Sequence, residues 1–380
     1  MMKAIAEKVT YPTWAEVHLD RIAHNIAEIR SGLNPRVKFM AVVKANGYGH
    51  GTVQVAQAAV TSGADALAVS AVDEAVKLRR AGLTVPLLIL APIAPEQIDT
   101  AAEHNVDITV FQADWLKAVK TFKTSTKPVR LHIKMDTGMG RWGVRDRAEW
   151  DQMVSWLQAD DFHVVGVYTH FATANQPDRT RCEEQFRRFE TMRAWVEEAG
   201  FRGAIAHCAN SAAAIRFPEY ALDMVRVGAS MFGILPFDEG VVLHRPIRLL
   251  PTLALHTTIS HIKMVSRGEA VSYDSSYVAQ EDEWIATLPI GYADGWFRGY
   301  SGLQVLADGI KVGIAGNICM NQTMIRLPYY MPVGTKVTLI GSQLEQSITL
   351  DEAASHIGSI PQQVLSLISE RVPRVYLPQS

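Results

Sequence analysis

Cysteine is scarce in this chain. There are three, Cys182, Cys208 and Cys319, an odd number with no CxxC or CxxH spacing. That argues against a disulfide framework and against a structural zinc site, and it fits a reducing cytoplasm. An excess of charge is also missing: Lys and Arg number 37 against 39 Asp and Glu, a formal net charge of −2. Such a chain offers no basic field to nucleic acid and no polybasic patch to a membrane surface, so the expected partner is a small molecule. No run of roughly eighteen apolar residues occurs, and nothing is expected to span a bilayer. Met1 to Thr10 carries Lys3, Glu7 and Lys8 and lacks the apolar core of a signal peptide. Internal repeats and low-complexity tracts are absent. No GxGxxG opens a helix after the first strand, which removes the main signature of a dinucleotide-binding fold.

What is present reads as a globular protein, 48% hydrophobic and 20% charged. At 380 residues it should hold one large domain and a smaller one. Trp14 to Asp20 reads as a short strand running into a helix, with Asp20 as its cap and Gly32 as its stop. Eight short apolar runs then follow, at 37–44, 65–70, 86–91, 107–110, 129–136, 162–170, 204–210 and 223–228. Helical patterns separate several of them, at 52–62, 72–80, 95–104, 148–158 and 179–198. This βα alternation predicts a parallel α/β fold, and eight strands in that length favour a closed (β/α)8 barrel over an open sheet. From about residue 250 the texture becomes Thr- and Val-rich, with turns such as Asp308-Gly309, which predicts an antiparallel β domain. The expected division is a barrel over 12–245, with 1–11 and 246–380 in the β-rich domain.

In a barrel, chemistry gathers where the strands end at their C-terminal side. The first such end is Lys44, followed by the glycine-rich Ala45-Asn46-Gly47-Tyr48-Gly49-His50-Gly51. It reads two ways: as a lysine that snorkels out of a core strand, or as an amine in a dry cleft, ready to form an imine with a carbonyl. Later ends bring Lys134, Asp136 and Arg141, then Thr169 and His170, then Asn210 and Ser211, then Arg226 and Gly228. Arg141 closes a loop with three glycines and is either a solvated surface residue or a fork for an anion. Ser211 and the amides near Gly228 lie after the last two strands, where barrels bind phosphate. Arg226, inside a strand, needs an acceptor: a ring nitrogen of a cofactor or a structural carboxylate. In the C-terminal part, Tyr273 and Tyr292 could be rim packing, and Cys319 reads as an inert thiol rather than a nucleophile.

Taken in order, these motifs resemble the bacterial alanine racemase family over nearly the whole chain. The matching pieces run from Ala41–Gly51 through Lys134–Gly143, Thr169-His170-Phe171, Asn210-Ser211 and Val225–Gly228. They continue with Val271-Ser272-Tyr273, Ile290–Gly295, Ile318-Cys319-Met320 and Arg371–Tyr376. The resemblance implies a pyridoxal 5′-phosphate enzyme with a barrel and a C-terminal β domain, working in the cytoplasm as a homodimer with shared active sites and supplying D-alanine for peptidoglycan. It implies that Lys44 carries the cofactor. Tyr48, Ser211 and the backbone near Gly228 would hold its phosphate, Asn210 and Ala229 would also bind the cofactor, and His170 would lie against the ring. Arg226 would face the pyridine nitrogen, and Arg141 the ring hydroxyl and the substrate carboxylate. Tyr273 and the Met320 backbone would come from the other subunit, with Lys44 and Tyr273 as the two bases. Lys134, carbamylated in some members, would sit behind Arg141, and Tyr292, Asn321 and Gln362 would border the entrance.

Four positions depart from the family pattern. Gly47 stands for an alanine, Asn317 for an arginine, Asn321 for an aspartate and Gln362 for a tyrosine. The last predicts a roomier gate and acceptance of serine or larger side chains beside alanine. Two rivals stand against the racemase reading: a barrel-type pyridoxal phosphate decarboxylase acting on a basic amino acid, and a non-catalytic cofactor-binding or amino-acid-sensing protein. The first would be expected to carry a cysteine-aspartate pair where Cys319 is followed by Met320. The second would lack the domain that supplies Tyr273.

Overall fold

The structure is a computed structural model and describes residues 11–378; the N-terminal stretch discussed above lies outside them. The chain divides into two compact units. Among the described residues, one comprises Arg21–Gly47 and Thr52–Leu250, the other 11–20, the short segment Tyr48–Gly51, and 251–378.

After β1 (Trp14–His18), eight strands build the first unit: β2 (Lys38–Val42), β3 (Ala66–Val69), β4 (Leu87–Ile89), β5 (Asp107–Val110), β6 (Val129–Lys134), β7 (Phe162–Tyr168), β8 (Ile205–His207) and β9 (Met224–Val227). They pair in parallel in the order β8-β7-β6-β5-β4-β3-β2-β9. The two ends of that order are joined by the Asp223 amide donating to Ala206 O (3.1 Å) and the Arg226 amide to Ala209 O (2.9 Å), so the ring is nearly closed. All eight expected strands are present, in the expected order. The helices between them bury one face each. Val72–Arg80 turns Val72, Ala75 and Leu78 inward, and Ala113–Phe122, which the periodicity had not singled out, buries Trp115, Leu116 and Val119. The first helix spans Leu19–Arg30, so Asp20 lies within its first turn and acts on the helix dipole rather than as the cap.

The second unit is β-rich, as expected. Its main sheet runs β16-β15-β18-β10-β1-β20, with β19 on the far part of β18. These strands are β10 (Leu253–Thr258), β15 (Gln304–Ala307), β16 (Ile310–Gly313), β18 (Lys336–Gln343), β19 (Gln346–Ile348) and β20 (Arg374–Leu377). A three-stranded sheet joins β11 (His261–Val265), β14 (Glu283–Leu288) and β17 (Thr323–Leu327); β12 (Ala270–Val271) and β13 (Tyr277–Val278) form a ribbon. All of these pairs are antiparallel except β1 with β20.

The expected boundaries need correction at three places. Trp14–His18 lies in the second unit, with Trp14 opposite His256 and Ala15 opposite Arg374. As a run, WAEVH is as apolar as a barrel strand. Its place is decided by which sheet has an open edge, and the barrel's eight strands already satisfy one another. Tyr48–Gly51 also groups with the second unit. Arg374 Nε donates to Gly49 O (2.9 Å), and the His50 ring bridges Tyr48 O (2.9 Å) and Thr252 Oγ1 (2.8 Å). Residues 246–250, by contrast, stay with the barrel.

Candidate active site

The barrel strands end in a cluster of cations. Lys44 follows β2 and opens a left-handed turn in which Ala45 (φ 53°), Asn46 (φ 54°) and Gly47 (φ 60°) all have positive φ. Each L-residue in that conformation costs about 1–2 kcal/mol, a strain usually stored at functional sites. Asn46 offsets its share by hydrogen bonding: its Oδ1 accepts from the amide of Thr52 (3.2 Å), at the start of the next helix. Gly47 carries no such cost, which gives the first of the four departures a physical sense: it relaxes the turn beside Lys44. Burial pushes the Lys44 amine below the usual lysine range and the Arg141 charge adds to this, with Glu74 opposing. The amine is therefore not a simple snorkelling cation.

The loop after β6 is folded around a carboxylate. Asp136 Oδ1 accepts from the amides of Gly138 (3.1 Å) and Gly140 (3.0 Å). Burial works against ionisation there, but these amides outweigh it and keep Asp136 below the usual range. Gly143 shows why glycine is needed, since a Cβ would come within 2.9 Å of Lys134 O. Arg141 is exposed and lies over the Trp142 ring, 4.2 Å from its centroid. Lys134 is 2% exposed and donates to Met135 O (2.8 Å). Its pKa falls to about 7, through burial first and then Arg226 and Arg141, against the opposing charge of Asp136.

Arg226 on β9 is buried among acceptors. Nη1 donates to His207 Nδ1 (3.0 Å) and His207 O (2.8 Å); Nη2 donates to Thr169 O (2.7 Å), His170 Nδ1 (3.3 Å) and Cys208 O (3.3 Å). No carboxylate accepts from it among the described residues, which removes the structural-ion-pair reading. Its Nε–H has no protein acceptor among those residues. Burial lowers the guanidinium pKa to about 10, so it stays cationic at neutral pH. Burial, then the charges of Arg226, Arg141, Lys134 and Lys44, hold His170 well below the usual histidine value. A neutral His170 accepts from Arg226 on Nδ1.

The last two strand ends form a small cradle. The amides of Gly228 (3.0 Å) and Ser230 (3.4 Å) donate to Ser211 Oγ, which leaves that hydroxyl its own proton to give. Asn210 Oδ1 caps the helix Ser211–Arg216 through the Ala213 amide (3.1 Å), and Ala229 begins the 3-10 turn Ala229–Phe232. Ser230 Oγ is buried without a hydrogen-bond partner among the described residues.

The second unit holds the other predicted residues. Tyr48 has φ 52°, and burial pushes its phenol up to about 12. Tyr273 is 69% exposed on a turn where Ser272 (φ 73°), Asp274 (φ 62°) and Ser275 (φ 49°) are all left-handed. Asn317 Nδ2 donates to Tyr273 O (3.2 Å) and Asp274 Oδ2 (3.3 Å), and Ser272 Oγ to Asn317 O (2.6 Å), so the departing Asn317 fastens this turn. Met320 is 55% exposed, and its carbonyl accepts from the Ala293 amide (3.0 Å), next to Tyr292. The Asn321 amide faces the Arg371 guanidinium at 3.3 Å, and because a guanidinium only donates, the amide oxygen is assigned to that side. Gln362 lies in the first turn of Pro361–Ser366. Cys319 is partly exposed, with Sγ 3.9 Å from Ser272 Oγ, and no histidine bonds to it among the described residues.

The sequence reading missed the polar interior beneath this mouth. Asp107, Thr109, His132, Tyr168 and His207 are all buried. Tyr168 stacks flat on His207 (4.9 Å, 7°) and its hydroxyl pairs with Thr109 Oγ1 (2.8 Å). The signal was there as polar residues two apart in apolar strands, Asp107 and Thr109, and Arg130, His132 and Lys134, which period-two geometry puts on one face.

Comparison with known proteins agrees with this architecture. Residues 17–236 match the family model "Alanine racemase, N-terminal domain" and residues 252–376 match "Alanine racemase, C-terminal domain". The chain is 45% identical over 365 residues to alanine racemase of Geobacillus kaustophilus, covering 96% of this chain and 94% of that one. It superposes on the crystal structure of alanine racemase from Bacillus anthracis with bound L-Ala-P at a TM-score of 0.94, with 42% identity over 97% of this chain and 96% of the other. A histidine racemase from Leuconostoc mesenteroides is more distant, at 28% identity and a TM-score of 0.87, covering 97% and 99%. Two matched domains in the right order, with the cationic strand ends and the cradle where the motifs put them, place this chain in the alanine racemase family.

Proposed function

We propose that the protein interconverts L- and D-alanine with pyridoxal 5′-phosphate, using Lys44 and Tyr273 as its two proton-transfer groups and supplying D-alanine for peptidoglycan. The observation that carries the site assignment is the Arg226 guanidinium. Its two terminal nitrogens are committed to the protein, whereas Nε–H is not. Such a donor suits an unprotonated ring nitrogen, and among the described residues no carboxylate accepts from Arg226 there. The Ser211 hydroxyl, the orphaned Ser230 hydroxyl, and the backbone near Gly228 and Ala229 suit a phosphate monoester. The residues present therefore fit the cofactor.

When bound, that cofactor delocalises the electron pair left at Cα and so eases cleavage of the Cα–H bond. The protein must then move protons on two opposite faces. Lys44, its amine already biased toward the neutral form, takes the D-enantiomer's proton at Nζ. Tyr273 takes the L-enantiomer's at its phenol oxygen. An ionised phenol is stabilised by cations around it, a role we give to the arginines at the mouth. Arg141 forks the substrate carboxylate. Tyr273 and Met320 are exposed in a single chain, and a base in bulk water is poorly placed for proton transfer. This supports a homodimer in which a second copy covers them and each copy completes the other's site. The three free thiols support a cytoplasmic location. No helix among the described residues is long and apolar enough to cross a membrane.

Incubating the purified, cofactor-loaded protein with L-alanine in heavy water tests the reading. The expected product is D-alanine deuterated at Cα. Absence of both inversion and exchange would defeat it, and carbon dioxide release from lysine, ornithine or diaminopimelate would favour the decarboxylase.

Gln362 carries a second reading on specificity. A glutamine at the gate leaves space that a tyrosine would fill, so serine should also turn over. Gln362→Tyr is expected to lower the rate with L-serine relative to L-alanine by about tenfold. An unchanged ratio removes Gln362 from the gate.

Lys134 adds a measurable state. Its pKa of about 7 leaves much of the amine neutral near neutral pH, and a neutral amine adds carbon dioxide with release of one proton to solvent, giving a carbamate. That anion would pair with Arg141. Because the neutral fraction grows as pH rises through about 7, carbon-13 NMR with labelled bicarbonate should show a protein carbamate increasing over that interval, absent in Lys134→Ala. A signal independent of Lys134 would exclude it.

A further inference from the structure

Beneath the mouth runs a buried polar row that the proposed proton transfers do not use. It begins at Arg226 Nη1, which donates to His207 Nδ1 (3.0 Å). His207 Nε2 lies 2.9 Å from His132 Nδ1, and His132 Nε2 lies 3.4 Å from Asp107 Oδ2. Asp107 receives Arg130 Nε (2.6 Å) and Nη2 (3.3 Å) on its two oxygens. Asp107, His132 and His207 sit on three strands, β5, β6 and β8, and all are buried.

The chemistry of the two ends assigns every proton between them. A guanidinium only donates, so His207 Nδ1 must accept, and a neutral His207 then carries its proton on Nε2. Burial, with Arg226 next, keeps His207 well below the usual histidine value, hence neutral. The Nε2–H of His207 donates to His132 Nδ1, which puts the His132 proton on Nε2. A carboxylate only accepts, and Asp107 takes that proton's hydrogen bond. The row runs one way, from cation to anion.

The fold makes specific room for it. The β6–β7 register shifts between Leu131 and His132, a bulge that re-aims a side chain. Opposite it stands Gly166, where a Cβ would come within 2.1 Å of His132 Nδ1. The flat stack of Tyr168 on His207 sets the plane of the second ring.

We propose that Asp107 and His132 are positioning residues for Arg226: they hold His207 as the Nε2–H tautomer, keep its Nδ1 lone pair turned to the guanidinium, and so preserve the orientation that leaves Nε–H uncommitted. This rests on the reading of Arg226 as the partner of the cofactor's ring nitrogen. Asp107→Asn makes the idea testable with little change of shape. Arg130 claims the single remaining oxygen, so the Asn amide presents N–H to His132 Nε2. The row then reverses, His207 acquires a proton on Nδ1, and donor meets donor at Arg226.

Nitrogen-15 NMR of histidine-labelled protein reads this directly. The cofactor-free parent should show His207 and His132 as Nε2–H tautomers, and Asp107→Asn should show His207 as Nδ1–H. With cofactor restored, kcat should fall by about tenfold to a hundredfold with little change in KM for alanine, the scale seen when an outer residue stops orienting an inner one. An Nδ1–H tautomer of His207 in the parent overturns the proposal without any variant, should Asp107→Asn fail to fold. An unchanged tautomer in Asp107→Asn overturns it too, as does a reversed tautomer with unchanged kcat. Arg226→Gln, run alongside, tests the underlying reading separately: unaltered cofactor absorbance and affinity there would sink the ring-nitrogen assignment while leaving the tautomer result standing.

Discussion

Lys44→Ala is expected to lower racemisation by roughly 10^4-fold in both directions, the upper range for loss of a positioned proton-transfer group, because the same amine also anchors the cofactor. Chiral chromatography of the reaction in each direction measures it. Reduction of the loaded parent with borohydride, followed by peptide mapping, should find the cofactor attached at Lys44. The physical basis is the amine's setting. It ends a buried strand, a left-handed turn holds the chain sharply away, and burial with Arg141 lowers its proton affinity. An ordinary surface lysine would be protonated and a poor nucleophile at neutral pH. Retention of near-parental rates in Lys44→Ala would end the assignment.

Tyr273→Phe is expected to produce an asymmetric loss. Deuterium exchange from L-alanine should fall by about 10^2- to 10^4-fold, whereas D-alanine should still exchange its Cα hydrogen with retention, since Lys44 remains. A symmetric loss, or none, would remove Tyr273 from the proton path. The two variants together also test the shared site. Tyr273 stands exposed on a turn fastened by Asn317, so its partner groups must come from elsewhere. Unfolding and refolding a mixture of Lys44→Ala and Tyr273→Phe chains should restore activity, because a mixed dimer contains one site with both groups intact. A mixture as inactive as its components would argue that each chain completes its own site.

The barrel was readable because its evidence is local. Most strands are short apolar runs, several of them closed by a polar residue, and each helix buries residues three apart, as in Val72, Ala75 and Leu78. The strand ends were readable for the same reason, and Lys44, Arg141, His170, Ser211 and Arg226 follow from counting along the chain. The residues between were not. His132 and His207 sit inside runs that read as core, and only the side-by-side pairing of β6, β7 and β8 brings their ring nitrogens to 2.9 Å. The allocation of Trp14–His18 was lost in the same way, since its partners at 253–256 and 374–377 are remote along the chain.

Composition and order alone therefore settled the class of fold, the family and the set of charged groups at the strand ends, because these depend on residue type and short-range periodicity. Tertiary structure decided how the groups are committed. It made Arg226 a guanidinium with five acceptors of its own, and it left one donor uncommitted. It spent glycine at Gly166 so that a histidine could pass. Protonation and tautomer state follow from such long-range contacts, since they depend on which donor meets which acceptor after the chain has closed on itself.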